Sequence, residues 1–260
     1  MALLLTLHRF FRSAEADGKP RLSAFAGACR NYTGASIALF QGGVLILAWD
    51  IGGANIKAAR LSPDGDAKAR LRVTSRPFEI WREKDRMREL LYEICSQLFP
   101  AEKPDALAVT MTAELSDIFA TKREGVHFVL EGIRACFPDP AVYVLDLSGQ
   151  FRPLGEALAH PLDFAATNWV ASARWVSKKF PNCLLLDVGS TTTDIIPILA
   201  GRVQVSGRTD MARLASGELL FTGALRTNLA AIVQTVPVEG RTCRVASEYF
   251  AISGDVHLIL

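Results

Sequence analysis

Short apolar runs alternate with turn-forming residues along the chain from residue 44 onward. Val44–Trp49 is the first run, a Gly52-Gly53 turn follows it, and Ile56–Leu61 is the second run. Apolar runs of about four to eight residues between glycine, proline, asparagine or aspartate are typical of strands. The same pattern predicts strands at residues 71–80, 105–112, 141–146, 183–187, 195–199 and 202–206. The sequence closes on another apolar run, Val256–Leu260, for which we predict a buried strand.

Helical periodicity separates these strands. Residues 82–99 contain apolar side chains at spacings of three and four, which predicts an amphipathic helix. These side chains are Met87, Leu90, Leu91, Ile94 and Leu98. A second helix is expected in part of residues 124–137, and a longer helical region after residue 146. Strands and helices in this mixed order predict an α/β protein whose helices pack on a sheet.

A segment around Asp50 is repeated around Asp187, 137 residues later. Each copy has an apolar strand, an aspartate, a β-branched residue, a glycine, a small residue and a return strand. Glycine in such a hairpin lets backbone N–H groups approach phosphate oxygens, and nearby hydroxyl groups can add donors. The aspartate at the end of each strand can attract Mg²⁺ through its water molecules. Two such hairpins facing one cleft would form a clamp for phosphate and magnesium.

The repeat supplies most of the candidate site residues. In the first copy, Asp50 is the candidate metal ligand, and the phosphate candidates are Gly52, Gly53, Asn55 and Lys57. In the second copy, Asp187 is a candidate for the metal and for catalysis, and the phosphate candidates are Gly189, Ser190, Thr191, Thr192, Thr193 and Asp194. The alternative is that aspartate-x-glycine after a strand is only a turn. Walker A, dinucleotide-binding and zinc-protease motifs are absent from the sequence.

Two carboxylates follow the strand predicted at residues 105–112. Glu114 and Asp117 lie in a predicted loop, where a carboxylate can act as a general base or orient a metal-bound water. The alternative for each is a helix N-cap or an exposed loop charge. Histidines 127, 160 and 257 share no ligand spacing, and we assign none of them to a metal.

Composition narrows the class of protein. Of 260 residues, 50% are hydrophobic and 22% are charged, which is typical of an ordinary folded chain. The chain has 29 Lys and Arg residues and 27 Asp and Glu residues. Residues 1–43 hold five of the basic and two of the acidic side chains, so the rest of the chain has no excess of basic residues. The rest of the chain therefore lacks the large basic surface that would indicate nucleic-acid binding. No apolar run approaches the ~18 residues of a membrane span.

The five cysteines form no C-x-x-C pair and fit a reducing cytoplasm. We therefore expect a cytoplasmic protein with no nucleic-acid or membrane partner. A homo-oligomer is left open.

The motifs together resemble a known family. Strand-turn-strand copies at Asp50 and Asp187 are similar to the phosphate hairpins of the actin, sugar kinase and Hsp70 ATPase superfamily. Residues 187–194 resemble the second hairpin of the hydantoinase/oxoprolinase family. Residues 49–57, 112–117, 121–125 and 217–227 resemble its branch linked to tetrahydromethanopterin-dependent one-carbon transfer and methanofuran biosynthesis.

The resemblance implies an actin-like ATPase fold with duplicated ribonuclease H-like domains. We expect a poorly ordered extension at residues 1–43, a first domain with hairpin 1 at residues 44–180, and the start of a second domain with hairpin 2 at residues 181–260, this second domain being incomplete. In the superfamily, the region of residues 214–227 contacts adenosine. Gly223 and Arg226 are therefore candidates for binding a cofactor or an anionic leaving group, the alternatives being a turn and a surface residue.

The implied reaction is a condensation. A furanmethanamine diphosphate would lose diphosphate from its furanylmethyl carbon, and the phenolic oxygen of a γ-glutamyltyramine-like acceptor would replace it, with Mg²⁺ on the diphosphate. ATP presents a similar group to the same hairpins, so an ATP-dependent small-molecule kinase or a hydantoinase/oxoprolinase-type hydrolase is the first alternative. The second is a non-catalytic homologue that binds a nucleotide or another protein.

Overall fold

The structure is a computed structural model that describes residues 44–62 and 71–259. The extension predicted at residues 1–43 lies outside the described residues. The chain divides into two compact units, one ending at Trp175 and the other beginning at Val176. The predicted domain boundary, after residue 180, lies close to this division.

The first unit is built on a six-stranded mixed sheet. Its strands are β1 (Ile46–Ile51), β2 (Asn55–Leu61), β3 (Leu71–Pro77), β4 (Ala106–Met111), β5 (Ala141–Leu145) and β6 (Phe151–Pro153). Their order is β3-β2-β1-β4-β5-β6. Strands β1, β2 and β3 pair antiparallel, β4 and β5 extend the sheet in parallel with β1, and β6 pairs antiparallel with β5. This order and these directions are those of a ribonuclease H-like sheet, so the predicted fold class is confirmed.

Helices cover this sheet. They are α1 (Ile80–Glu83), α2 (Met87–Leu98), α3 (Lys122–Cys136), α4 (Leu154–Ala159) and α5 (Asn168–Lys179), the last of which continues beyond the first unit. The five periodic apolar residues of α2 are all buried, as the spacing predicts. Helix α3 begins with a capping-box arrangement, in which Thr121 Oγ1 accepts the Glu124 N–H and Glu124 Oε2 accepts the Ala120 N–H.

The core of the first unit surrounds its central strand. All six residues of β1 are buried, so both faces of this strand are covered. One apolar cluster joins β1 to α2 and α3, with Leu47, Trp49, Ile51, Leu91, Ile94, Val126 and Leu130 among its members. Burial of such side chains contributes about 1.5–3 kcal/mol each. The packed side chains of β1 therefore hold the end of this strand, where Asp50 lies, in place.

The second unit holds a smaller sheet. Its strands are β7 (Cys183–Val188), β8 (Thr193–Leu199), β9 (Arg202–Val203) and β10 (Leu219–Leu220), followed by the hairpin β11 (Thr235–Val238) and β12 (Arg241–Arg244). The order is β10-β8-β7, with β9 also paired to β8. Its helices are α6 (Asp210–Ser216) and α7 (Ser253–Ile259).

The strand predicted at residues 256–260 is wrong. Residues 253–259 form helix α7, and Leu258 and Ile259 are 86% and 84% exposed. The Asp255 carboxylate accepts the Ile252 N–H at 2.9 Å, which favours the start of a helix. A run of five apolar residues is too short for its period to distinguish a strand from a helix.

Strands β7 and β8 repeat the pairing of β1 and β2. Asp50 lies opposite Lys57 in the first pair, and Asp187 lies opposite Asp194 in the second. Both members of the second pair follow their counterparts by 137 residues. The repeat recognised in the sequence is therefore a repeat in strand register.

The two central strands differ in their burial. Leu184, Leu186 and Val188 of β7 are each 58% exposed. Their counterparts in β1, namely Leu47, Trp49 and Ile51, are completely buried, because they pack in the cluster that includes α2 and α3. Within the described residues of the second unit, no strand pairs with the corresponding edge of β7. Of the helices in the described part of the chain, none is both long enough and apolar enough to cross a membrane.

Candidate functional site

Hairpin 1 turns at Gly52. The Gly52 N–H donates to the Asn55 carbonyl at 3.0 Å. A Cβ atom on Gly52 would lie 2.8 Å from the Asn55 oxygen, so this turn requires glycine. Gly53 is less constrained, because the nearest atom to a Cβ there would be 3.9 Å away. The Gly53 carbonyl accepts the Ile80 N–H at 3.0 Å, which anchors the hairpin to α1.

Hairpin 2 has the same turn. The Gly189 N–H donates to the Thr192 carbonyl at 2.8 Å, at positions equivalent to Gly52 and Asn55. A Cβ atom on Gly189 would approach the Thr192 oxygen to 3.3 Å. Ser190 occupies the position of Gly53, where a side chain has room. The two aspartate-x-glycine motifs thus form turns with the same backbone hydrogen bond.

Asp50 is a buried carboxylate at the end of β1. It is 6% exposed, and its Oδ2 lies 3.2 Å from Lys57 Nζ. On the neighbouring strand, Thr110 lies beside Asp50 in register, and its hydroxyl is 2.8 Å from that of Thr167. Lys57 therefore neutralises Asp50 within the hairpin, and phosphate binding by Lys57 stays a prediction.

Asp194 has a different partner. It is 8% exposed, and Arg213 donates from Nη1 to its Oδ1 at 2.7 Å. Burial raises the pKa of Asp194 above its ordinary value of 3.8; Arg213 opposes this rise, and the neighbouring Asp187 adds to it. Asp194 is thus held by a buried ion pair, and its predicted contact with a ligand is untested.

The 222–227 loop wraps around hairpin 2. The Ala224 N–H donates to the Gly189 carbonyl at 2.9 Å, and the Leu225 and Arg226 N–H groups donate to the Ser190 carbonyl at 3.1 and 2.9 Å. These bonds bring Arg226, through its backbone, to the predicted phosphate turn. They also satisfy the Gly189 and Ser190 carbonyl groups of the turn.

Gly223 is sterically required in this loop. A Cβ atom there would lie 2.5 Å from the Thr191 nitrogen. The Gly223 N–H donates to Thr227 Oγ1 at 2.7 Å, and the Thr193 hydroxyl donates to the Thr222 carbonyl at 2.6 Å. The structure thus brings Gly223 against hairpin 2, whereas its role toward a cofactor stays a prediction.

Hairpin 2 presents backbone donors. Within residues 71–259 and 44–62, the N–H groups of Ser190, Thr191 and Thr192 donate to no other group. Successive unpaired N–H groups in a tight turn form a concave site for an anion. The Ser190 and Thr191 hydroxyls, 3.4 Å apart, lie on the same turn. This arrangement suits phosphate oxygens.

Glu114 and Asp117 lie in different surroundings after β4. Glu114 is 1% exposed, and its Oε1 accepts the Ala166 N–H at 2.6 Å. Ala166 has a φ of +53°, a conformation that a non-glycine residue adopts only when held there. Gly125 of α3 packs directly against the Glu114 backbone. Asp117 is exposed, next to Ser116. The catalytic roles of both carboxylates stay predictions.

The donor set fits Mg²⁺ bound mainly by water and substrate. No group of three or more His, Cys, Asp and Glu side chains in the described ranges could hold a metal alone. Mg²⁺ keeps several waters and uses only one or two carboxylates beside substrate phosphates. Asp50 and Asp187 can each supply one carboxylate. That both hairpins face one cleft remains a prediction.

Sequence reasoning missed Arg213, Glu218 and Thr227 as neighbours of hairpin 2. Arg213 follows Asp187 by 26 residues and lies outside every motif segment, whereas Glu218 and Thr227 lie within residues 217–227 but were not predicted as site residues. Their signal is the burial of polar side chains, which only the tertiary structure reveals.

Comparison with known proteins identifies the family of the chain. Residues 105–260, more than half of its length, match the family model described as hydantoinase/oxoprolinase. The chain belongs to the hydantoinase/oxoprolinase family. Within this family match lie Glu114, Asp117, all of hairpin 2 and the 222–227 loop.

Two curated relatives of this family member share one name. The (4-{4-[2-(gamma-L-glutamylamino)ethyl]phenoxymethyl}furan-2-yl)methanamine synthase of Methanocaldococcus jannaschii is 37% identical over 218 residues, which cover 84% of this chain and 62% of the relative. The synthase of that name from Methanococcus vannielii is 47% identical over 89 residues, covering 34% of this chain and 40% of the relative. The chain spans less than two thirds of the length of either relative.

A solved structure shows a weaker likeness. Ethanolamine utilization protein EutJ from Carboxydothermus hydrogenoformans aligns with a TM-score of 0.37 and 11% identity, over 61% of this chain and 49% of that protein. A TM-score this low adds nothing to the fold assignment, which rests on the strand order.

Proposed function

We propose that this hydantoinase/oxoprolinase family member is a transferase that joins a furanmethanamine diphosphate to a phenolic, γ-glutamyltyramine-like acceptor. The observation that carries the proposal is its 37% identity, over 84% of its length, to a synthase whose name describes a phenoxymethyl-furan product. Such a product contains an ether between a furanylmethyl carbon and a phenolic oxygen. A diphosphate leaving group on that carbon is the substrate class that hairpin 2 suits.

The proposed reaction is a displacement at carbon. The phenolic oxygen forms a bond to the furanylmethyl carbon, the bond from that carbon to the diphosphate oxygen breaks, and the electron pair leaves with the diphosphate. The phenolic proton passes to a base. Of the two catalytic candidates that follow β4, Asp117 is exposed and can receive this proton, whereas Glu114 is buried and engaged with Ala166.

The chain's own residues would act mainly on the leaving group. The N–H groups of Ser190, Thr191 and Thr192 would bind the diphosphate oxygens and stabilise the charge that develops there. Asp187 would hold Mg²⁺ through its waters, as Asp50 is predicted to do in hairpin 1, and the ion would neutralise phosphate charge when bound. The 222–227 loop would keep the hairpin donors in place.

Synthesis from defined substrates tests this proposal. The full chain is incubated with Mg²⁺, a furanmethanamine diphosphate and γ-glutamyltyramine, and the ether product and released diphosphate are quantified by mass spectrometry and phosphate analysis. Equal amounts of ether and diphosphate would support the proposal. No ether above the level of the Asp187→Asn variant would contradict it.

Nucleotide binding distinguishes the alternatives. Hairpin 2 suits the phosphates of ATP as well as a free diphosphate, so an ATP-dependent kinase or hydrolase remains a competing function. Calorimetry compares diphosphate, ADP and ATP, each with Mg²⁺. Preference for diphosphate favours the transferase, preference for ATP favours the kinase or hydrolase, and binding of either without turnover favours a non-catalytic homologue.

A further inference from the structure

Arg213 is the most deeply buried charged side chain near hairpin 2. It lies in the short helix α6 and is 1% exposed. Arginine is almost never buried to this extent unless it is paired. Its Nη1 donates to Asp194 Oδ1 at 2.7 Å, and its Nη2 donates to the Glu218 carbonyl at 2.9 Å.

The repeat explains why a cation is needed there. Hairpin 1 carries Lys57 opposite Asp50, so the carboxylate meets a positive charge on the return strand. Hairpin 2 carries Asp194 at the equivalent position opposite Asp187. Two carboxylates placed directly opposite one another repel. Arg213, from another element, pairs with Asp194 and neutralises the carboxylate that stands where hairpin 1 has Lys57.

The same arginine joins three elements of the second unit. The Glu218 carbonyl that Arg213 contacts also accepts the Ile195 N–H of β8 at 2.8 Å. The Glu218 side chain accepts the Ser206 N–H at 2.6 Å. Arg213 therefore ties α6 and the start of β10 to the return strand of hairpin 2. Residues after β10 continue into the 222–227 loop that wraps this hairpin.

We propose that Arg213 is a positioning residue for the second hairpin. By binding Asp194 and the Glu218 carbonyl, it neutralises the carboxylate opposite Asp187 and fixes the return strand of the hairpin that would bind the diphosphate. This inference rests on the proposed function, because it assigns Asp187 and hairpin 2 to the diphosphate. It adds a residue that acts through Asp194 without touching the substrate.

Three variants and a control test the inference on the full chain. Arg213→Met removes the charge, Arg213→Lys keeps it, and the double variant Asp194→Asn with Arg213→Met removes both charges of the pair. Arg208→Met is the matched control, because Arg208 is exposed and lies five residues earlier. The measurements are calorimetric binding of diphosphate with Mg²⁺, and backbone amide chemical shifts of residues 189–193 without ligand.

We expect Arg213→Met to weaken diphosphate binding by about 10- to 100-fold, as losses of residues that orient a metal ligand do. Its amide shifts at residues 189–193 should change as well. Arg213→Lys should retain part of the affinity, the double variant should bind more tightly than Arg213→Met, and Arg208→Met should match the wild type. Rescue by the double variant would show that the uncompensated Asp194 charge, and not a lost packing contact, causes the defect.

Wild-type affinity in folded Arg213→Met would overturn the inference, and so would a folded double variant that binds as weakly as the single one. If Arg213→Met does not fold, Arg213→Lys takes its place, and wild-type affinity in that variant would overturn the inference. If the wild type binds no diphosphate, the proposed function fails. The backbone amide chemical shifts measured without ligand then test whether Arg213 positions the hairpin. Changes at residues 189–193 would then support positioning, whereas changes confined to α6 would overturn it.

Discussion

Asp194 lies directly opposite Asp187 in the β7–β8 pair, at the position that Lys57 occupies opposite Asp50 in the β1–β2 pair. One repeat therefore carries a cation beside its strand-end aspartate and the other carries a second carboxylate. The buried Arg213 pairs with Asp194 and so neutralises the additional carboxylate of the second repeat. The two hairpins share a backbone but differ in charge, which suggests different tasks toward a phosphate ligand.

The turn of hairpin 1 predicts a sharp contrast between adjacent glycines. Gly52→Ala would place a Cβ 2.8 Å from the Asn55 oxygen, whereas Gly53→Ala meets no atom closer than 3.9 Å. We expect Gly52→Ala to lower the free energy of unfolding by about 1–3 kcal/mol, the usual cost of overpacking. Gly53→Ala should change it by less than about 0.5 kcal/mol. Urea unfolding of both variants measures this, and equal stabilities would contradict the turn geometry.

The contact of Gly223 with hairpin 2 predicts a loss of binding. Gly223→Ala would force the 222–227 loop away from Thr191, because the added Cβ would lie 2.5 Å from the Thr191 nitrogen. We expect diphosphate binding with Mg²⁺ to weaken by about tenfold or more, since the turn loses its support. Gly155→Ala is the control, because no atom lies within 4 Å of its new Cβ. A calorimetric titration in which both variants bind alike would disprove this role of the loop.

The Glu218 carboxylate should make a pH-dependent contribution to the free energy of unfolding. Burial raises the pKa of Glu218, but the Ser206 and Gly207 N–H groups outweigh it, so the pKa is lowered from its ordinary value of 4.5. A lowered pKa stabilises the folded state above pH 4.5, and this stabilisation is lost as the pH falls through the folded-state pKa. Glu218→Gln should therefore be less stable than the wild type at neutral pH, and the difference should shrink in acid.

Urea unfolding at several pH values measures this difference. Glu248→Gln is a matched control at an exposed position and should give no such pH dependence. A difference between wild type and Glu218→Gln that stays constant down to acid pH would show that the Glu218 charge does not contribute to stability.

Much of the fold could be predicted from the sequence because its signals are local. The apolar runs of β1 and β7 and the spacing in α2 depend on neighbouring residues, and the structure contains all three elements. The repeated aspartate-x-glycine motif also predicted equivalent hairpins, since glycine is needed for the turn itself. The family resemblance was likewise confirmed.

Other features depend on contacts between distant residues and could not be predicted. Nothing in the sequence around Arg213 distinguishes it from an arginine on a helix surface. Only the tertiary structure shows that it contacts Asp194. The helical state of residues 253–259 also escaped prediction, because it depends on Asp255 and on the Ser253 N–H bonding to the Thr227 carbonyl.

Binding of inorganic diphosphate to the wild type and to Asp187→Asn tests the central claim most directly. With Mg²⁺ present, calorimetry should show binding to the wild type and about tenfold or weaker binding to the variant, whose thermal unfolding should stay unchanged. Asp139→Asn, at a position with a 74% exposed side chain, should bind as the wild type does. Equal affinities of the wild type and Asp187→Asn would contradict the assignment of hairpin 2 to a metal-bound diphosphate.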